Sequence, residues 1–233
     1  MAYENRNTYL PTIYWIHENK LYRGFFEYEE DIVDSPRDWD NLGTMVCFHP
    51  HYSLGDVQLK RGESYAEHID RDKVFVMLNL NLYDHSGITM YTGSQNTCNW
   101  DTSSVGFIYV YKDNEEVLDY MKTHTEEETF TWARNLLEAE VRVYDSYLRG
   151  EVYYIVSEYF DVDTGEWEFE DGIGNIYLTS NTYAEEQKLA TAELIGNFSG
   201  KCKLLEEDTV LKAIENGELD TLYGQKMLFE KEA

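Results

Sequence analysis

Two short segments hold the side chains whose types could support catalysis. The candidates are Cys47, His49, His51 and Asp56 in the first segment, and Asp84 and His85 in the second. Alternate residues of a strand share a face, so Cys47 and His49 are expected to lie side by side. His51 joins them only if Pro50 leaves the strand intact.

Three interpretations of these side chains stay open. In the first, Cys47 is a nucleophile activated by His49 or His85, and Asp84 orients the base. In the second, His49, His51 and His85 hold a divalent metal ion and a reactive water. In the third, Cys47 is a small buried hydrophobic residue, and the histidines cap turns or satisfy backbone groups. No motif is specific to either chemistry, so we expect no cofactor and keep a Cys/His or metal-dependent hydrolase as the alternative function.

Strands and one long helix are expected to position these segments. In residues 74–83, leucine alternates with polar or aromatic side chains, which is typical of a half-buried strand. Strands at 88–91 and 105–111 would complete an antiparallel meander. Thr125 and Glu128 form a capping box that predicts a helix start. The expected apolar face of this helix is Phe130, Ala133, Leu137, Val141, Tyr144 and Leu148, with a stop at Gly150.

The rest of the chain extends this pattern at both ends. A hairpin is expected from strands at 9–16 and 20–28, and a buried strand at 43–49. Further helices are expected at 184–197 and 208–216, and a strand at 221–229. The fold class is therefore α+β: an antiparallel meander packed by one long amphipathic helix, with a C-terminal helical extension. We expect residues 1–200 to form one acidic domain and residues 201–233 to pack on it as the extension.

Charge is the strongest compositional signal. The chain has 45 acidic and 19 basic residues and a formal net charge of −26. Such a field repels nucleic acid and anionic membranes and attracts proteins with basic grooves. Three cysteines without a metal-binding spacing favour a reducing cytosol. The first residues have no apolar segment of the secretory type and no apolar run reaches 18 residues, so we expect a cytosolic protein without a membrane span.

Acidic residues are concentrated between Gly150 and Gln187, where ten carboxylates occur without a single Lys or Arg. The aromatic and β-branched residues between them predict folded β structure, with a hairpin turn at 163–165. The carboxylates of Glu166, Glu168 and Glu170 alternate along the expected strand, about 6.6 Å apart on one face. Acidic blocks at 27–40 and 113–128 would add to this surface.

Several motifs resemble a family of functionally uncharacterised proteins carried by bacteriophages and mobile elements. The resemblance covers roughly residues 20–160, and its motifs are DNLGTMVCFH at 40–49, LGD at 54–56, LYDHSGIT at 82–89 and VGFIYV at 105–110, with Trp100, Asp101 and residues 143–153. It implies no established activity. Basic residues often precede the Leu-Gly-Asp in that family, whereas this chain has Pro50 and His51, which weakens any nucleic-acid or metal role taken from it.

Together, the charge and the resemblance predict an inhibitor of a host restriction or CRISPR-type nuclease, acting in the bacterial host cytoplasm. Two other interpretations stay open: the charge serves only solubility, or the protein has an unassigned structural or binding role. The expected mechanism is stoichiometric binding of an acidic surface, which imitates nucleic acid, to a basic nucleic-acid-binding groove. We expect no direct nucleic-acid binding, and a homodimer is left open. The expected partner-binding residues are Glu29, Glu30, Asp31, Glu158, Asp161, Asp163, Glu166, Glu168, Glu170 and Asp171.

Overall fold

A computed structural model of the chain describes residues 10–29, 34–84, 87–93, 102–179, 183–196, 198 and 201–223. Its strands are β1 (Ile13–His17), β2 (Lys20–Tyr28), β3 (Thr44–Cys47), β4 (Val57–Gln58), β5 (Val74–Asp84), β6 (Ile88–Thr92), β7 (Thr102–Tyr111), β8 (Tyr153–Asp161), β9 (Glu166–Ile176) and β10 (Lys203–Leu205). Its helices are α1 (Glu115–Met121), α2 (Glu126–Leu148), α3 (Tyr183–Gly196), α4 (Glu207–Asn216) and α5 (Asp220–Tyr223).

The chain divides into two compact units rather than one domain with an extension. The split unit is formed by residues 1–33 together with residues 152–233, and the inserted unit by residues 34–151. This division differs from the expected boundary at residue 200, because β10 pairs with β1 and so holds the C-terminal part in the split unit. The α+β class is confirmed, but with two mainly antiparallel sheets in place of one meander.

The sheet of the split unit has the strand order β10-β1-β2-β8-β9, and every pair is antiparallel. The expected first hairpin is confirmed, with Glu18 and Asn19 at its turn at φ 46° and 61°. Positive φ at both central residues is the geometry that fits a two-residue hairpin. One sheet face packs on α3 through Ala190 and Leu194, and the other packs on α4 and α5.

The sheet of the inserted unit has the order β4-β3-β7-β5-β6. The expected meander is wrong in one respect, because β7 pairs with β5 and not with β6. The capping box is confirmed at the start of α2. Its Ala133, Leu137 and Val141 pack in the core with β3, β5 and β7, but Phe130 is 43% exposed. The apolar stripe is therefore less regular than the spacing predicts.

The C-terminal expectations are partly met. The helix expected at 208–216 is α4, and Gly217 ends it with a left-handed backbone, φ 70°. The expected strand at 221–229 is wrong where the chain is described, because Thr221, Leu222 and Tyr223 belong to α5. Residues 224–229 lie outside the described residues.

The inserted unit lies in the chain between β2 and β8, two antiparallel neighbours that a short hairpin turn could otherwise join. Tyr28 at the end of β2 is the register partner of Tyr153 at the start of β8. The backbone N–H of Glu29 donates to the carbonyl of Val152 at 2.9 Å. The inserted unit thus leaves and rejoins the split unit at two neighbouring backbone positions.

Candidate functional site

Cys47 has none of the properties of a nucleophile. It is fully buried, at 0% exposure, in the core that contains Met45 and Leu54. Burial, assisted by the charge of Asp56, raises the pKa of its thiol to about 12. The thiolate is the reactive form of cysteine, and reactive cysteines are partly exposed with a lowered pKa. The strand face that carries Cys47 therefore serves packing.

The histidines expected beside it form a turn. His49 Nδ1 accepts from the backbone N–H groups of His51 and Tyr52, at 3.3 and 3.2 Å. The His49 ring also stacks on Tyr52, whose hydroxyl donates to Asp84 Oδ1 at 3.4 Å. Burial is the main cause that lowers the pKa of His49. The structure thus brings His49, His51 and Asp84 together in the pattern expected of turn capping.

Metal binding gains no support from this cluster. Throughout the part of the chain that the structure describes, no three or more His, Cys, Asp and Glu side chains are grouped so as to hold a metal ion. His85, the third histidine of the expected metal set and a candidate catalytic base, lies outside the described residues.

An ion-pair network joins Arg37 to Asp56, which belongs to the Leu-Gly-Asp motif, and to Glu140 of α2. The guanidinium of Arg37 donates to both carboxylate oxygens of Asp56, at 2.8 and 2.7 Å, and to Glu140 Oε2 at 3.0 Å. Only 5% of the Arg37 side chain is exposed. Burial acts to lower the pKa of Arg37, but the hydrogen bonds and charges of Asp56 and Glu140 outweigh it and raise that pKa.

The same two carboxylates also hold the backbone of the motif. Asp56 Oδ2 accepts from the N–H of Met45 at 2.6 Å, and Glu140 Oε1 accepts from the N–H of Leu42 at 2.8 Å. The network therefore ties α2, β3 and the Leu-Gly-Asp segment together. Sequence reasoning missed the role of Arg37, although its isolation as the one base of an acidic block was a signal.

Two further motif positions are also structural. A Cβ at Gly106 would overlap the carbonyl oxygen of Val46, so β3 and β7 approach more closely than any larger residue allows. Asp145 Oδ1 accepts from the N–H of Met90 at 2.7 Å and anchors β6 to α2. The motifs thus explain the fold of the inserted unit and leave its chemistry unassigned.

Glu158 is not available to a partner in the way the sequence suggests. Its side chain is 6% exposed, and Oε2 lies 2.6 Å from both Nε and Nη2 of Arg23. The Arg23 guanidinium in turn lies over the ring of Trp167, 4.4 Å from its centroid. The expectation of an accessible carboxylate at Glu158 is corrected, because the neighbouring strand β2 supplies a cation that sequence distance conceals.

The remaining hairpin carboxylates are open to solvent. Asp163, Glu166, Glu168, Glu170 and Asp171 are all exposed, and Asp161 is half-buried. We call the five exposed ones the β9 carboxylates. In the described residues, none of the five forms an ion pair. β9 is also the edge strand of its sheet, so its carboxylates stand at a boundary of the split unit.

A β-bulge determines which way the β9 carboxylates face. The register passes from Glu158 opposite Phe169 to Ser157 opposite Asp171, which makes Glu170 the extra residue. Directly opposed residues share a sheet face, and a bulge re-aims the side chains beside it. Glu168 lies opposite Tyr159 and Asp171 opposite Ser157, and these two partners are on one face of β8. The bulge therefore places Asp171 on the same face of the sheet as Glu168.

The expected acidic contributions before Asp34 do not join this face. Glu29 is half-buried and lies beside Val152, at the opposite end of β8 from the Asp163 turn. The eight residue steps of β8 correspond to roughly 26 Å. Glu30 and Asp31 lie outside the described residues.

Sequence reasoning also missed a cavity next to the β9 carboxylates. The cavity has a volume of about 530 Å³, and the polar side chains that line it include His17, Glu18, Lys20, Glu170, Asp171 and Glu193. These residues come from the β1–β2 turn, from β9 and from α3. Of these elements, the sequence analysis predicts the β1–β2 turn, in which Glu18 has a positive φ. It does not predict that the turn, β9 and α3 enclose a cavity.

Comparison with known proteins returned no match among family models, curated proteins or solved structures. Across the described residues, no helix is both long enough and apolar enough to cross a membrane.

Proposed function

We propose that this protein is a phage- or mobile-element-encoded inhibitor of a host defence nuclease, of the restriction or CRISPR type, acting in the host cytoplasm. It acts by stoichiometric binding, and its partner is the basic groove in which that nuclease holds nucleic acid. The proposal includes membership of the phage and mobile-element family that its motifs resemble.

The observation that carries this proposal is the set of β9 carboxylates. They are exposed on an antiparallel hairpin, and no ion pair neutralises them within the described residues. Like charges placed this close repel one another, so their concentration lowers the stability of the free protein. A partner that supplies Lys and Arg would relieve that repulsion.

A cluster of carboxylates can compete with nucleic acid for the basic residues of a phosphate-binding groove. Such grooves gain much of their affinity from Lys and Arg contacts to phosphates and from release of counterions. Duplex DNA presents one charge per about 1.7 Å of its axis, whereas alternate residues of one strand are about 6.6 Å apart. One strand is therefore too sparse a mimic, and the tight Asp163 turn and the paired Glu170 and Asp171 at the bulge raise the local density.

The alternative, a hydrolase built on Cys47, His49 and His85, has no observation in its favour. The buried thiol with a pKa of about 12 and the turn-capping role of His49 both argue against a nucleophile and its base.

The proposal is tested by capture from a bacterial lysate on the immobilised protein at about 50 mM and about 500 mM salt, with captured proteins identified by mass. We expect a basic nuclease at low salt and not at high salt, because the length over which exposed charges interact falls from about 14 Å to about 4 Å across this range. The captured nuclease is then assayed for DNA or RNA cleavage with a stoichiometric series of the inhibitor.

Matched charge variants decide whether the β9 carboxylates are the contact. Glu166→Gln with Glu168→Gln should abolish capture and inhibition. Glu215→Gln with Glu218→Gln removes the same charge from exposed positions around the end of α4 and should leave both intact, as should Cys47→Ala. Equal loss in both charge variants, or capture that is insensitive to salt, contradicts the proposal.

A further inference from the structure

The cavity beside the β9 carboxylates is a concave site, lined by residues of several strands and of α3. One wall is formed by Ile155 and Ser157 of β8 and another by Leu194 of α3, while Tyr22 and Phe198 contribute aromatic rings. These two rings pack edge to face at 4.9 Å. Its volume of about 530 Å³ falls in the range of small-ligand sites.

The charged side chains that line the cavity are mainly carboxylates. Four carboxylates line it, from Glu18, Glu170, Asp171 and Glu193, against the single ammonium of Lys20. Lys20 Nζ lies 5.2 Å from the centroid of the Tyr159 ring. The bulge places the two adjacent carboxylates Glu170 and Asp171 at the same wall.

His17 supplies an independent observation. Its side chain is 10% exposed, and Nδ1 contacts Cys202 Sγ at 3.8 Å. In the described residues Nε2 has no hydrogen-bond partner; the carboxylate of Glu18 is 3.9 Å from it, beyond hydrogen-bond distance. Both His17 and Glu18 line the cavity. Nε2 of His17 is not among the fully buried side-chain atoms that lack a hydrogen-bond partner in the described residues, so a ligand in the cavity can reach it.

Two of the lining carboxylates also act on the hydroxyl of Tyr22. Burial is the main cause that raises the pKa of this hydroxyl, and the charges of Glu170 and Glu18 add to it. Glu18 belongs to the β1–β2 turn and Glu170 to β9.

We propose that this cavity binds the guanidinium group of an arginine side chain. A guanidinium has five N–H donors, no acceptor and a permanent charge, and it stacks on aromatic faces. The cavity offers the complement: four carboxylates, the ring of His17, and the aromatic rings of Tyr22 and Phe198 are all among its lining residues. The inference rests on the proposed function, because the arginine would come from the basic groove of the nuclease, with the β9 carboxylates guiding the approach.

The test is an NMR titration of the full-length protein with N-acetyl-arginine-methylamide as the probe. The citrulline analogue is the matched control, since it keeps the shape and loses the charge. We expect the arginine probe to shift the backbone amide signals of Glu18, Glu193 and residues 170–173, and the citrulline probe to shift none of them. Shifts of equal size along all of β9, or equal effects of the two probes, would overturn the proposal.

Variants separate the cavity from general attraction to acid. Glu193→Gln, and independently Glu170→Gln with Asp171→Asn, should each weaken binding of the arginine probe by about tenfold, since each removes a charge-assisted contact. Glu166→Gln with Glu168→Gln changes charge on the same strand outside the cavity and should change it by no more than about twofold. The same loss in all three variants would show that no specific site exists.

The two proposals fail in different ways. Binding of the arginine probe without capture of any nuclease would overturn the proposed function and leave the cavity as a guanidinium site. Capture that survives the cavity variants but is lost with Glu166→Gln and Glu168→Gln would overturn the arginine site and keep the proposed function.

Discussion

At the scale of single residues, Arg37 and Cys47 of the inserted unit show two different fates of a polar side chain that leaves water. Arg37 is charged and fully paired with Asp56 and Glu140, whereas Cys47 is neutral and surrounded by apolar side chains. The ion pairs of Arg37 hold the Leu-Gly-Asp segment in place, and the burial of Cys47 keeps its thiol from reacting. Both statements can be tested by direct measurement.

Arg37→Met should lower the free energy of unfolding of the inserted unit by about 3 kcal/mol, because it leaves the nearly buried carboxylate of Glu140 and the partly exposed carboxylate of Asp56 without their cation. Arg134→Met is the control: its guanidinium is largely exposed and pairs with Glu138 one helical turn away, so the loss should stay under about 0.5 kcal/mol. Urea unfolding followed by circular dichroism measures both. Similar small losses in the two variants would mean that the network contributes little.

Cys47 should resist alkylation by iodoacetamide in the native protein at pH 8 and react in urea. With its pKa raised to about 12, the thiolate fraction is very small at pH 8, and it rises only as pH approaches that value. Mass spectrometry of the Cys47 peptide gives the labelled fraction. Native labelling at the rate of an exposed thiol would restore the nucleophile hypothesis.

At the scale of elements, several local patterns predict the structure, whereas the pairing of distant strands does not follow from the sequence. The capping box of α2, the first hairpin and the alternation of β5 depend on residues within a few positions of one another, so the sequence displays them. The order β6-β5-β7 and the pairing of β10 with β1 depend on distant partners. Glu158 was misjudged for the same reason, since its cation Arg23 lies 135 positions away, and the bulge at Glu170 had no visible sequence signal.

Thr125→Ala should destabilise α2 by about 1 kcal/mol, because it removes the side-chain oxygen that accepts from the backbone N–H of Glu128. Thr131→Ala makes the same chemical change at an exposed position inside the helix. It should be neutral or stabilising by up to about 0.7 kcal/mol, since alanine has the higher helix propensity. Thermal unfolding of both variants provides the measurement, and equal effects would show that the cap is unimportant.

At the scale of the whole molecule, the two units differ in what they contain. The inserted unit holds most of the segments on which the family resemblance is based and two hydrophobic clusters of its own, while the split unit contains the β9 carboxylates and the cavity. A distinctive interaction can therefore be built in one unit without altering the packing of the other.

The fragment of residues 34–151 should fold without the rest of the chain. It is continuous in sequence and has a complete sheet with α2 packed on one face, and 118 residues is a usual domain size. A cooperative thermal transition and dispersed NMR signals are expected from the isolated fragment, whereas it should capture no nuclease. A fragment that remains unfolded would show that the inserted unit depends on the split unit.

The register pairing of Tyr28 with Tyr153, 125 positions apart, has a consequence for synthesis on the ribosome. The β1–β2 hairpin emerges first, but the strand that must cover its open side is translated only after the entire inserted unit. Because contacts between distant positions form late, we expect β2 to stay unpaired on its β8 side until residues 34–151 have been synthesised. If those residues fold first, the loop that pairing of β2 with β8 must close becomes effectively shorter, and the entropy cost of closing it falls.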